Sequence, residues 1–302
     1  MKSAAAATVV RIASAGILRA GRTCAPGRSS GLRVLLGCVV SALALSGCLR
    51  WPGQQSKTAP AAFGEAPDSN EGVGLPLALA TPEDYVVRVV AGSVTCSGSL
   101  IDEDRVLTAH HCIAERGANG EMLSKDVPAA GLQVELGGDP FAWGEVGVRA
   151  VLAPTCGYAA GDGDIAILVL ERKLVGVATR KARIDKPPVV GKKIEPIGFG
   201  RCVWTQSTGG RSVRTGGAIE ELSHRHFRLD ASICPGDSGG PAVDEATGDI
   251  VGVISAAEMD ASDKTLGKSE FTRLDSWASL FTQAQLVVDG LSPNELPPVE
   301  CQ

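Results

Sequence analysis

Aromatic side chains are scarce in this chain of 302 residues, which has two tyrosines, four tryptophans and six phenylalanines. Long Val and Ile runs are missing too, whereas glycine occurs 37 times. That balance speaks against a helical bundle and for a β-rich protein with many turns. A basic excess is also lacking: the formal charge is −5, so no basic face offers itself to nucleic acid. None of the nine cysteines stands in a CxxC pair, which argues against a zinc ribbon, and neither a metal nor a cofactor is expected. Cys96, Cys112, Cys156, Cys202, Cys234 and Cys301 form an even, scattered set, as disulfides in an oxidising compartment would. The apolar run 34–45 is too short to span a bilayer comfortably. The length still leaves room for one large domain or two smaller ones with a sizeable core.

Acidic residues are absent before Glu65, while Lys2, Arg11, Arg19, Arg22, Arg28 and Arg33 precede the apolar run. Positive region, apolar stretch and small residues make the pattern of a secretory signal. The run ends in Leu45-Ser46-Gly47-Cys48, which resembles the lipobox of bacterial lipoproteins. The resemblance implies a signal peptide over 1–47, cleavage before Cys48 and lipidation of that residue. Several acyl chains, at about 0.8 kcal/mol per buried CH₂, would hold the protein on a membrane. Residues 48–81 are rich in Pro, Ala, Gly, Ser and Gln without periodicity and read as a flexible tether. Its reach is about 30 Å by random-coil scaling. An exported protein follows, anchored on the periplasmic or cell-surface face of a bacterial membrane, or else secreted.

From residue 82 the text changes to short apolar runs separated by turn signals. Strands are predicted over 85–90, 94–101, 105–109, 132–136, 146–152, 164–170, 193–197, 212–221, 227–232, 240–243 and 249–256. Gly137-Gly138-Asp139-Pro140, Pro187-Pro188 and Gly209-Gly210 are turns between them. Only 274–288 has helical spacing, with Trp277, Leu280, Phe281 and Ala284 on one face. The expected organisation is a β domain over 82–290, closed by that helix, and a tail over 291–302.

Chemistry concentrates in Cys234-Pro235-Gly236-Asp237-Ser238-Gly239-Gly240-Pro241. Here one hydroxyl sits on a backbone almost free of bulky side chains. Gly236 can take a positive φ, where a Cβ would clash. The amides of Gly236 and Ser238 could then converge as an oxyanion hole. Serine alone is a poor nucleophile, so a histidine base and an orienting carboxylate are required. There are four histidines: His110 and His111 before Cys112, and His224 and His226, read as a solvated strand face.

Together, CSGSLI (96–101), VLTAHHC (106–112), GDIAILVL (163–170) and CPGDSGGPAV (234–243) resemble the chymotrypsin/trypsin-like serine proteases, over roughly 82–288. The resemblance implies an all-β fold of two six-stranded Greek-key barrels, with the site in the cleft between them. It carries the base to His111, next to the cysteine, rather than His110. It carries the acid to Asp164, which opens an apolar run, rather than Asp162. Ser238 is then the nucleophile, with Gly236 and Ser238 supplying the oxyanion amides. Protein or peptide substrates and a monomer are implied. A Cys96–Cys112 bridge beside the histidine also follows. Cys234 lacks its usual later partner, so Cys202 is the first choice for it, and Cys156 remains for Cys301.

The chain departs from the family in two places. Many members pair the Asp before the serine with a new ammonium freed by cleavage ahead of Ile-Val-Gly-Gly. Residues 70–83 hold no convincing match, so another group is expected to hold Asp237. The pocket positions carry Ser232, Ile233, Ser255, Ala257 and Ser269, with no Asp at the base, which favours a small or medium neutral residue before the cleaved bond. A noncatalytic homologue that uses the double barrel as a surface binding module is the alternative; it predicts a lost site residue, and none is lost.

Overall fold

The computed structural model describes residues 81–138, 141–202, 209–260 and 264–301. The expected signal, Cys48 and tether lie outside the described residues, as does the Asp139-Pro140 end of one turn. Among the described residues, sixteen strands and one α-helix make up the fold.

The first barrel closes in the order β1 (Val86–Ala91), β2 (Val94–Asp102), β3 (Arg105–Thr108), β8 (Ala166–Leu170), β7 (Gly144–Leu152) and β6 (Leu132–Leu136), which returns to β1. All its pairings are antiparallel, with Val89 opposite both Cys96 and Val134. Burial in β7 alternates, buried residues inward and polar ones outward, as period-2 geometry dictates. Every residue of β8 is buried. Its outer face is covered by α1 (Ala278–Val288), which buries Leu280, Phe281, Ala284 and Val287. Full burial is worth roughly 1.5–3 kcal/mol for each large apolar side chain. The helix is shorter than the predicted 274–288, because Asp275–Trp277 form a 3₁₀ turn ahead of it. A small hairpin, β4 (Ala114–Arg116) with β5 (Met122–Asp126), stands apart from the barrel.

The second sheet runs β10 (Ser212–Val213), β9 (Lys193–Gly198), β14 (Pro241–Asp244), β15 (Ile250–Met259), β16 (Thr265–Arg273), β13 (His226–Asp230), β12 (Glu221–Leu222). Its ends meet. β11 (Gly217–Ala218) pairs with β9, and Ile219 continues that pairing by donating to the Lys192 carbonyl. Three residues on, β12 pairs with β13. One irregular segment, 217–222, thus bridges β9 to β13 and closes a second six-membered ring. The single strand expected over 212–221 is accordingly three short ones. Gly216 marks the break, where a Cβ would fall on the Ile194 carbonyl. Phe227 and Phe271 lie directly opposite in the inner layer, stacked with centroids 5.1 Å apart; such cross-strand pairs contribute about 0.2–1 kcal/mol.

Three disulfides join described residues: Cys96–Cys112, Cys156–Cys301 and Cys202–Cys234. The second ties the C-terminal tail to the loop before β8, and Val299 also bonds Thr155 there.

Candidate active site

β3 ends at Thr108, and the chain passes through Ala109 into a 3₁₀ turn, His110–Cys112. The two histidine rings serve different partners. His111 Nδ1 lies 2.8 Å from Asp164 Oδ2, and the His111 amide donates to Oδ1 at 2.9 Å. Asp164, two residues before β8, is wholly buried, and its Oδ2 also accepts the Ser255 hydroxyl at 2.6 Å. A carboxylate only accepts, so Nδ1 carries the hydrogen and Nε2 keeps a lone pair able to take a proton. His110 instead has Nδ1 2.5 Å from the Cys156 carbonyl and Nε2 2.8 Å from Asp126, with its ring against Tyr158. Both of its nitrogens are occupied. Asp162 is exposed and pairs with His226 at 3.4 Å, so that histidine is not the solvated residue expected.

Ser238 is brought to the same place by backbone bonds. The Ser97 amide donates to the Ser238 carbonyl, and the Ser97 hydroxyl to the Gly236 carbonyl, each at 2.8 Å. The Gly239 amide donates to Ile254, the neighbour of Ser255, also at 2.8 Å. Ser255 therefore touches the His–Asp pair while its neighbour anchors the serine loop. Gly236 has φ of 100°, the conformation closed to a side chain. The amides of Gly236 and Ser238 donate to no acceptor among the described residues. His111 Nε2 lies 3.8 Å from the Cys112 sulfur, and among the described residues it does not hydrogen-bond the Ser238 hydroxyl. Bonds of that kind commonly tighten only once substrate is seated.

Asp237, also wholly buried, is gripped by Arg214, whose Nε lies 2.8 Å from Oδ2 and whose Nη2 donates to Oδ1 at 2.9 Å. The amides of Cys234 and Gly200 add bonds of 2.9 and 2.7 Å. Burial pushes this carboxyl above its ordinary value, while Arg214 and the two amides pull the other way. Gly200 is required by close approach, since a Cβ would fall on the carboxylate. Arg214 and Gly200 were not singled out from the sequence. Arg214 sits in Ser-Val-Arg-Thr, 23 residues before its partner, and no local pattern marks it. Its one clue was the unmet need of Asp237.

A cavity of about 450 Å³ opens beside His111, and Ser255, Ala257 and residues 159–161 are among those that line it. Ala160, which lines the cavity, is the one non-glycine with positive φ (63°) among the described residues. Strained backbone of this kind gathers at functional sites. Beyond Val253, β15 has β16 on one flank and no strand on the other among the described residues, which leaves an edge open to an extended peptide. Ser232, Ile233 and Ser269, expected at the substrate pocket, do not line this cavity. Ile233 is wholly buried in the second barrel's core, and the Ser269 hydroxyl donates to the Ala231 carbonyl at 2.9 Å. Ser232 is half-buried, its amide bonded to Thr215.

This fold and site define a class of double-barrel hydrolases, and comparison with known proteins agrees. The Trypsin family model matches residues 78–278, and the chain belongs to that family. An uncharacterized peptidase of Corynebacterium glutamicum is 24% identical over 237 residues, which span 72% of this chain and 74% of that relative. The fold matches a Glu endopeptidase, with a TM-score of 0.54 and 20% identity over 70% of this chain and 94% of the other. It also matches the protease Anisep from Arthrobacter nicotinovorans, with a TM-score of 0.53 and 17% identity over 67% and 95%.

Proposed function

We propose that this chain is an exported serine endopeptidase working through an acyl-enzyme. The observation that carries the reading is the His111–Asp164 pair, shared with Ser255, beside a serine loop whose Gly236 and Ser238 amides are uncommitted. Ser238 Oγ attacks the peptide carbonyl as His111 Nε2 takes its proton. The two amides bind the oxyanion, each such donor being worth about 3 kcal/mol. His111 then hands the proton to the leaving amine, and water repeats the sequence on the acyl-enzyme. Asp164 keeps the ring in the tautomer required and balances its charge. The residue before the cleaved bond is small or medium and neutral, a reading supported by Ser232, which stands at the expected pocket base and brings no carboxylate for a cation; one methylene there is worth about 1–3 kcal/mol.

Arg214 supports activity in the uncleaved chain, since it supplies from within the cation that a new N-terminus would otherwise bring to Asp237. Sequencing the N-terminus of active enzyme checks this, and one beginning at residues 72–80 would count against it. Export as a lipoprotein rests on Leu45-Ser46-Gly47-Cys48; fatty-acid labelling that survives Cys48→Ser would refute it. A fluorophosphonate probe tests the enzyme reading. It should label the wild type and not Ser238→Ala; labelling of neither would favour the noncatalytic binding module.

A further inference from the structure

We infer that the cavity beside His111 selects a long cationic side chain, Arg or Lys, upstream of the cleaved bond, and that Glu258 recognises it. This rests on the peptidase reading and names its substrate class.

The floor of the cavity follows from strand register. Ala256 on β15 lies opposite Glu270 on β16, Glu270 opposite Arg228 on β13, and Arg228 opposite Glu221 on β12. Residues directly opposite share a face, so one methyl group is followed by a row of Glu, Arg and Glu. Along β15, Ala257 and Met259 are buried while Ala256 is half-buried and Glu258 exposed, which puts Glu258 on the same face as Ala256. Lys268 stands beside Glu270 in the same way. All six line the cavity, and so does His111. The small side chain of Ala256 keeps the path from His111 to the charged row open.

Ion pairing decides which charge is unmet. Arg228 gives both Nε and Nη2 to Glu270, at 2.8 and 2.5 Å. Lys268 lies 2.5 Å from Glu221 and 3.0 Å from Glu220. Both cations are therefore already matched. Glu258 acts on Arg228 only through space, and among the described residues it makes no hydrogen bond or ion pair. The pocket's unmatched charge is negative. A cationic occupant completes it, whereas an acidic one adds to the excess. An extended substrate on the open edge of β15 advances one residue per residue of the strand. Glu258 is three positions beyond Ser255, so the cation belongs about three or four residues before the cleaved bond.

The test compares peptide substrates carrying arginine or its neutral isostere citrulline at those two positions, on wild type and Glu258→Gln. The wild type should favour arginine about fivefold in kcat/KM, the scale of one water-accessible charge pair. The preference should reside in KM, and Glu258→Gln should bring it close to parity. Parity in the wild type, a preference for citrulline or glutamate, or an arginine preference unchanged in Glu258→Gln would overturn the inference. Fluorophosphonate labelling of the same preparations reports separately on the peptidase reading: failure to label sinks both, whereas labelled enzyme without an arginine preference sinks this inference alone.

Discussion

Two buried carboxylates, Asp164 and Asp237, are fixed at opposite ends of the serine loop's environment by different means. Both are wholly shielded from water. Asp164 is held by neutral donors, the His111 amide, the His111 ring and the Ser255 hydroxyl. Asp237 is held by a permanent cation, with a guanidinium against both of its oxygens. In the proposed reaction the partner of Asp164 gains and loses a proton in each turnover, a task that suits an imidazole. A partner that only braces a loop is best one that never changes charge, and arginine does not deprotonate in proteins. Replacing each hold in turn therefore separates a carboxylate that serves the reaction from one that serves the loop.

The largest effect is expected at Asp164. Asp164→Asn keeps the shape but presents an amide to Nδ1, which favours the wrong ring tautomer. A fall of about 10⁴ in kcat is expected, with thermal stability nearly intact. Equal losses of activity and stability would make Asp164 a structural residue like Asp237. Arg214→Met should instead lower stability and activity together, leaving a buried charge without its partner at a cost of about 3–5 kcal/mol. Acidification should shrink that deficit. Burial raises the Asp237 carboxyl, and a raised carboxyl contributes stability at low pH that is lost as pH rises through its folded value. Denaturation of variant and wild type in parallel at pH 5 and pH 8 reads this directly. A deficit that grows on acidification would break the comparison.

Much of this arrangement was legible beforehand, for reasons specific to each part. The serine loop and the His–Asp pair stand out because the proposed chemistry rests on short, unusual strings: three glycines around one serine, and an acid opening an apolar run. Strand β6 was readable to the residue, since Leu132, Val134 and Leu136 alternate cleanly into the barrel. Strand β16 was not foreseen. Its first half, Thr-Leu-Gly-Lys-Ser, places polar groups on both faces, and it becomes a strand through pairing with β13 and β15. Arg214 was hidden for a related reason, because a partner contributed by tertiary contact leaves no periodic trace. The cavity floor depends on register across four strands, which no single stretch of sequence contains.

A subtler test falls on Ser255, which donates to Asp164 and whose neighbour Ile254 anchors Gly239 through its carbonyl. Ser255→Ala removes one bond to a charged acceptor, worth about 2 kcal/mol. The expected result is a fall of roughly tenfold or more in kcat with KM little changed. A rise in KM alone would mean that the hydroxyl serves the substrate edge and not the carboxylate.

The smallest effect is expected at a third carboxylate, Asp126, which pairs with His110 at 2.8 Å but keeps 31% of its side chain exposed. The Cys156 carbonyl faces one nitrogen of that ring and Asp126 the other, so the ring is held at both ends. Asp126→Asn can still offer an amide oxygen to Nε2, so the bond survives and only the charge is lost. Water reaches this pair, and exposed ion pairs contribute about 0–1 kcal/mol. The melting temperature should therefore drop by no more than about 4 °C, with peptide hydrolysis unchanged. If Asp126→Asn cost as much as Arg214→Met, burial would not be what separates a brace from an ordinary ion pair. The contrast would then have to rest on where each pair stands in the fold, because His110 ties β5 to the loop that leads into Asp164.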